Sequence, residues 1–241
     1  MLENLEKGTH GAYMRLARII GSLYLPVFVL APFALLYVRS ALVVPGDALM
    51  TATRILGNSS LFKAGAMVEI ILILIDVILA PLLYLLFVRV SKPLALTAAF
   101  LRFGWAIIAT ISVIASFLAL LLLSDPGYTQ ALGANQAQSL ALLFLSLHEY
   151  IVAGVGFILF GLHIGVISYL ILKSKVMPRG LGILLMVAAV GYLINSVATL
   201  LTMNSVPDAL MAFLLLPAFL GELSLSLWLV VRGVRLDSKT G

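Results

Sequence analysis

Seven ionisable residues fall inside apolar stretches long enough to cross a bilayer: Glu69, Asp76, Arg102, His148, Glu149, His163 and Glu222. A charge in hydrocarbon costs several kcal/mol, so such residues face a bundle interior or a wet cavity and mark a site by default. Glu69 and Asp76 are seven positions apart, which at about 100° per residue puts them on one helix face about 10 Å apart. Carboxylates so placed can hold a cation or relay a proton. Asp76 falls near mid-span, where a hydrogen bond alone rarely needs an ionisable group, whereas cross-helix hydrogen bonding serves Glu69 equally well. Glu222 follows Pro217 by five residues. The missing proline N–H leaves the Phe213 carbonyl free beside the acid, an arrangement that recurs at intramembrane ion and substrate sites.

His148 and His163 stand on one predicted helix with about 22 Å of rise between them, too far apart to share a metal. His10 precedes the first span, so a bis-histidine haem finds no pair. His148, Glu149 and Glu69 remain weak candidate ligands for a hard divalent metal, and no other cofactor is expected. Tyr192, Asn195, Ser196 and Thr199 form a polar stripe at helical spacing, a pattern that more often packs helices than binds a substrate. His163 lies between Gly161 and Gly165, whose spacing suits close backbone approach and an oligomer contact. Arg102, placed four residues into a span beginning at 98, reads as a snorkelling side chain, too near the surface to neutralise Glu222. Pairing with Asp76 is the sharper and less favoured reading. No Gly-x-Ser-x-Gly elbow marks a nucleophile, and the absence of cysteine removes thiolate chemistry and disulfides.

The elements that must position these residues follow from composition. The chain is 63% hydrophobic and 10% charged, against about 25% charged in a soluble domain. Apolar spans near 16–38, 62–88, 98–123, 140–172, 180–203 and 208–231 each meet the length of about 20 residues that a bilayer requires. Backbone groups in lipid must be satisfied internally, so the spans are helices and the fold class is an all-α, six-helix membrane bundle forming one domain over 1–241. The first span is too long for a signal peptide and is expected to be retained. An amphipathic stretch before it (Leu2, Glu3, Leu5, Glu6, Lys7) suits the membrane surface. Turn and cap residues in the first long loop, Val44-Pro45-Gly46-Asp47 and Asn58-Ser59-Ser60, allow a short helix from Ala48 to Leu56. The fourth segment would span about 50 Å, so it either bends at Gly154-Val155-Gly156 or begins along the interface.

Lys7, Arg15, Arg18, Arg89, Lys92, Lys173, Lys175, Arg179, Arg232, Arg235 and Lys239 all fall on one side, against Arg39, Arg54 and Lys63 on the other. This asymmetry predicts both termini in the cytoplasm of a multi-pass plasma-membrane protein. It also accounts for the net charge of +5, with no basic stripe of the kind that binds nucleic acid.

Val44-Pro45-Gly46-Asp47-Ala48, Asp76, Phe100-Leu101-Arg102, Leu147-His148, Phe160-Gly161, Pro178-Arg179-Gly180-Leu181-Gly182, Gly191-Tyr192-Leu193 and the run from Glu222 to Trp228 follow one another in a distinctive order. In order and spacing the chain resembles the multi-pass membrane family of domain of unknown function 4386, from about Arg15 to Gly233. The resemblance implies a prokaryotic membrane protein of this helix count and carries over no catalytic residue.

The leading expectation is a protein that binds or transports a small solute or lipid. Its outward-opening polar pocket would be built from Glu69, Asp76, Asn195 and Glu222, with His148 at the mouth. A metal-assisted intramembrane hydrolase using His148 and carboxylates and a structural partner subunit are the alternatives. The topology is directly testable: a carboxy-terminal reporter that works only in the cytoplasm should be active. Activity confined to the opposite side of the membrane would overturn the orientation.

Overall fold

The structure is a computed structural model that describes residues 10–174, 176–202 and 208–234. The amphipathic stretch Leu2 to Lys7 and the basic residues Lys175, Arg235 and Lys239 lie outside them. Among the described residues there are eight helices and no strand. They are α1 (His10–Leu42), α2 (Ala48–Gly57), α3 (Ser59–Phe87), α4 (Lys92–Ser124), α5 (Pro126–Leu132), α6 (Ala134–Ser174), α7 (Arg179–Thr202) and α8 (Asp208–Val231). Six of these are long and apolar enough to span a membrane, and the protein is a multi-pass membrane protein. Large side chains such as Leu74, Phe100, Ile107, Ile114 and Phe213 point outward. That distribution suits a surface solvated by lipid.

The spanning helices α1, α3, α4, α6, α7 and α8 pack on their neighbours in chain order, and α8 packs back on α1. They therefore close into a ring. Small residues set how closely it closes. A Cβ on Gly21 would stand 2.6 Å from the Ser226 carbonyl oxygen and 2.9 Å from the Val230 nitrogen, so α1 and α8 meet backbone to backbone. Gly191 admits the Leu214 carbonyl in the same way and joins α7 to α8. A Cβ on Gly161 would lie 3.0 Å from the Tyr192 Cβ and 3.2 Å from the Ala189 carbonyl, and one on Gly165 would meet Ala189. The face expected to offer an oligomer contact is thus occupied by α7 of the same chain.

Local chemistry explains the helix ends. Pro45 and Gly46, the latter at φ 78°, make a turn closed by Asp47 N–H donating to the Val44 carbonyl at 3.1 Å. Asp47 then caps α2 by accepting from the Met50 N–H at 2.8 Å. Asn58 serves the end of α2 instead of the start of α3, donating its side-chain N–H to the Arg54 carbonyl at 3.1 Å. Pro93 sits in the first turn of α4, where its missing N–H costs nothing, so that helix begins at Lys92.

Two segments are wound more loosely than an α-helix. Pro32–Val38 in α1 and Tyr150–Gly156 in α6 are π-helical, a form often found at functional sites. Pro26 and Pro32 remove donors from α1, and Gly154 and Gly156 leave α6 without side-chain support. The long fourth segment is therefore one helix with an internal π turn at the predicted glycines.

Gly21→Ala should lower stability by about 1–3 kcal/mol through overpacking at a backbone contact. Gly180→Ala, whose added carbon meets nothing within 4 Å, should be neutral. Thermal or denaturant unfolding in detergent reads both, and equal stability of the two variants would show that α1 and α8 are not so close.

Candidate functional site

At the centre of the ring every spanning helix contributes at least one polar side chain: Tyr24, Asp76, Arg102, His163, Tyr192 and Glu222. Arg102 is 1% exposed. It donates from Nη2 to Asp76 Oδ1 at 2.5 Å and from Nη1 to the Tyr24 hydroxyl at 3.1 Å. Its guanidinium carbon lies 4.8 Å from the centroid of the Tyr24 ring and 5.5 Å from that of Phe160, so aromatic faces cover it. Glu222 accepts from the Tyr24 hydroxyl at 2.6 Å and the Tyr192 hydroxyl at 2.7 Å. The Trp105 indole N–H donates to Asp76 Oδ2 at 2.8 Å. The ring of Trp105 occupies the space that a side chain on Gly156 would fill, with Cζ3 only 2.5 Å from the place of its Cβ. A glycine of the π turn thus makes room for a donor to Asp76.

The neighbours of His163 fix its protonation. Nδ1 is 2.8 Å from the Ala98 carbonyl, which can only accept, so Nδ1 carries the hydrogen. Nε2, 3.1 Å from Arg102 Nη1, is then the bare nitrogen that accepts from the guanidinium. The histidine is neutral, and one guanidinium faces two carboxylates.

Sequence reasoning misplaced Arg102. With α4 starting at Lys92 instead of 98, the arginine is ten residues in, about 15 Å from the end. It does not snorkel, it pairs with Asp76, and through Tyr24 it reaches Glu222. His163 is a member of the network beyond its role in helix contact. Tyr24 and Tyr192 were not singled out as its donors. The signal available was two tyrosines deep within apolar spans, where a hydroxyl needs a partner.

A second cluster lies nearer the end of the bundle remote from the described termini. His148, 1% exposed, has Nδ1 2.9 Å from the Ser112 carbonyl and 3.0 Å from Ser116 Oγ, and Nε2 3.5 Å from Glu69 Oε2. Nε2 has no hydrogen-bond partner among the described residues. Arg39, read from sequence as a loop charge, lies within α1. It donates to the Leu145 carbonyl at 2.9 Å and stands 3.9 Å from Glu149 Oε2. The Glu149 side chain is 45% exposed. Among the described residues no three His, Cys, Asp or Glu side chains gather as a metal site.

Two small clefts meet at Glu69. One of about 50 Å³ is lined by Leu35, Glu69, Asp76, Trp105, Ser112 and Val152, room for a few waters. The other, about 20 Å³, is lined by Val38, Arg39, Phe62, Gly65, Glu69 and Ser116. Both π turns contribute a wall. Of the expected pocket residues, Asp76 and Glu222 share the central network, and Glu69 and His148 share the second cluster. Asn195 joins neither: it is buried, with Oδ1 unpartnered among the described residues. The stripe around it divides, Ser196 donating to the Gly154 carbonyl and Thr199 to its own helix.

A family model described as domain of unknown function (DUF4386) matches residues 19–233. An uncharacterised protein of Archaeoglobus fulgidus is 32% identical over 88 residues, covering 36% of this chain and 50% of that protein. The match thus spans half the length of that relative. No solved structure matches.

Arg102→Leu would leave two buried carboxylates without their cation and should cost about 3–5 kcal/mol in denaturant unfolding. Arg102→Lys should recover only part of it, because a compact ammonium cannot fork between Asp76 and Tyr24. A loss under about 1 kcal/mol for Arg102→Leu would mean that the arginine reaches water.

Proposed function

The chain belongs to the family of domain of unknown function 4386, and from the geometry at its centre we propose that it binds or transports a small solute along α3. The path runs from Glu69 through the cleft to Asp76, with the Asp76–Arg102–Glu222 network at its inner end. The observation that carries this reading is the double engagement of Asp76. Its carboxylate lines the cleft and also holds Arg102 at 2.5 Å. A cationic group arriving in the cleft competes with Arg102 for that carboxylate. The displaced guanidinium keeps the Tyr24 hydroxyl and, through it, Glu222. Binding is thereby coupled to rearrangement at the centre of the ring, where every spanning helix is held.

Size limits the occupant. A cleft of about 50 Å³ holds waters or a small ion, so anything larger requires the wall to yield. The π turns of α1 and α6, which supply Leu35 and Val152 to that wall, are where it has the weakest ladder. The proposed ligand-contacting residues are Asp76, Glu69 and His148, with Glu222 acting through Tyr24. Asn195 is left out because its side chain joins neither cluster.

Asp76→Asn and Glu222→Gln each leave one guanidinium with one carboxylate, so neither variant strands a buried charge without a counter-charge. Both variants should fold. A thermal-shift screen of small solutes and salts against wild-type protein should yield stabilising hits that Asp76→Asn loses outright and Glu222→Gln weakens at least about tenfold, equivalent to 1.4 kcal/mol. Hits retained in full by both variants would sink the proposal.

A further inference from the structure

We infer that Glu69 and His148 form a binding site for one exchangeable proton, separate from the central network and loaded from the cleft that contains Arg39. His148 Nδ1 lies 2.9 Å from the Ser112 carbonyl, which can only accept, so Nδ1 bears the hydrogen. Ser116 Oγ, at 3.0 Å, can serve either tautomer and does not alter that choice. Nε2 is therefore bare in the neutral ring. It is buried, without a hydrogen-bond partner among the described residues, and faces Glu69 Oε2 at 3.5 Å. A lone pair set against a carboxylate in a dry interior is unfavourable from both sides. One proton relieves it, either on the carboxyl, which then donates to Nε2, or on Nε2, which then pairs with the carboxylate. In both forms the pair is neutral overall.

Loading is a simple transfer. A hydronium in the cleft gives up one proton, an O–H bond forms on Glu69 or an N–H bond on His148, and water remains. The surroundings fit a site for a proton better than one for a metal ion. Arg39 of α1 lines the same cleft as Glu69 and disfavours a second cation of higher charge. Glu149 of α6 is turned toward Arg39, α4 presents Ser112 and Ser116, and Arg54 of α2 is spent on the Ala41 carbonyl at 3.4 Å. Asp76 lies two turns along α3 from Glu69, across the larger cleft. A proton held at Glu69 thus shares a cleft with the carboxylate that pairs with Arg102. The inference deepens the transport reading by naming its coupling ion, yet its test reads the proton itself and needs no solute.

The experiment is nitrogen NMR of the full chain, labelled at its three histidines, in nanodiscs of phosphatidylethanolamine and phosphatidylglycerol between about pH 5 and 9. His148→Asn identifies the signals of interest. In the wild type the Nε2 shift of His148 should move with pH while Nδ1 stays protonated. In Glu69→Gln, whose amide donates permanently to Nε2, the ring should hold the neutral Nδ1–H form throughout. An Nε2 shift indifferent to pH in the wild type, or the same pH profile in Glu69→Gln, overturns the site. Should Glu69→Gln fail to fold, Glu69→Asp withdraws the carboxylate by one methylene and should move the midpoint by about one pH unit. An unmoved midpoint overturns the inference equally.

Discussion

A guanidinium cannot be deprotonated inside a protein, so an arginine ten residues deep in a membrane helix must be given a counter-charge and hydrogen-bond acceptors at that depth. That requirement organises the molecule. Asp76 supplies the counter-charge at Nη2, Tyr24 and the bare nitrogen of His163 accept at Nη1, Tyr24 and Phe160 cover the flat faces, and Nε has no hydrogen-bond partner among the described residues. Each partner stands on a different helix, or on a different face of one, so satisfying one cation fixes the relative positions of α1, α3, α4 and α6. Tyr24 then hands the constraint on to Glu222, and Glu222 to Tyr192, which brings α8 and α7 into the same arrangement. The glycine contacts at Gly21 and Gly191 are the packing counterpart: they let α8 come close enough for its carboxylate to be reached.

The fold was legible because lipid leaves few options. Length and hydropathy located the six spans, and the short helix after Asp47 followed from turn and cap residues. Asp76 and Glu222 were legible as important because acids are expensive at their depth. How they are linked was not. The error over Arg102 came from treating Lys92 and Pro93 as loop, although a proline in the first turn is compatible with helix, and six residues of helix shift an estimated depth by about 9 Å. His163 looked like a packing residue because glycines flank it, Tyr192 because it belongs to a polar stripe, and Tyr24 carries no charge to draw attention in an apolar run. Glu69 and His148 are set apart from the central network by depth, two turns of α3 lying between Glu69 and Asp76, and which partners they meet at that depth follows from how the helix faces rotate around a closed ring. That depends on π turns, and a local pattern of prolines and glycines hints at those without fixing their register.

Buried polar networks of this kind pose a problem of charge and of specificity together. Replacing the ion pair by apolar residues could in general leave a protein as stable or more so. Its presence in the middle of a lipid-facing ring therefore argues for a task beyond cohesion. The two clefts agree with that, since both touch carboxylates, both are walled in part by the π turn of α1, and the larger is walled by that of α6 as well.

The order of helices around the ring bears on how the chain can enter a membrane. Asp76 and Arg102 are 26 residues apart on consecutive helices, whereas Tyr24 and Glu222 are separated by 198. A hairpin of α3 and α4 can carry its acid and its base into the bilayer already neutralised, so the costliest side chain never crosses alone. Glu222 arrives only with α8, when the long loop back to α1 has to be closed against chain entropy. Until then the hydroxyl hydrogens of Tyr24 and Tyr192 lack the carboxylate that accepts them. Insertion of α8 and completion of the polar centre are in this way a single event, and a chain truncated before α8 would leave an open ring with its tyrosine donors exposed along a missing wall.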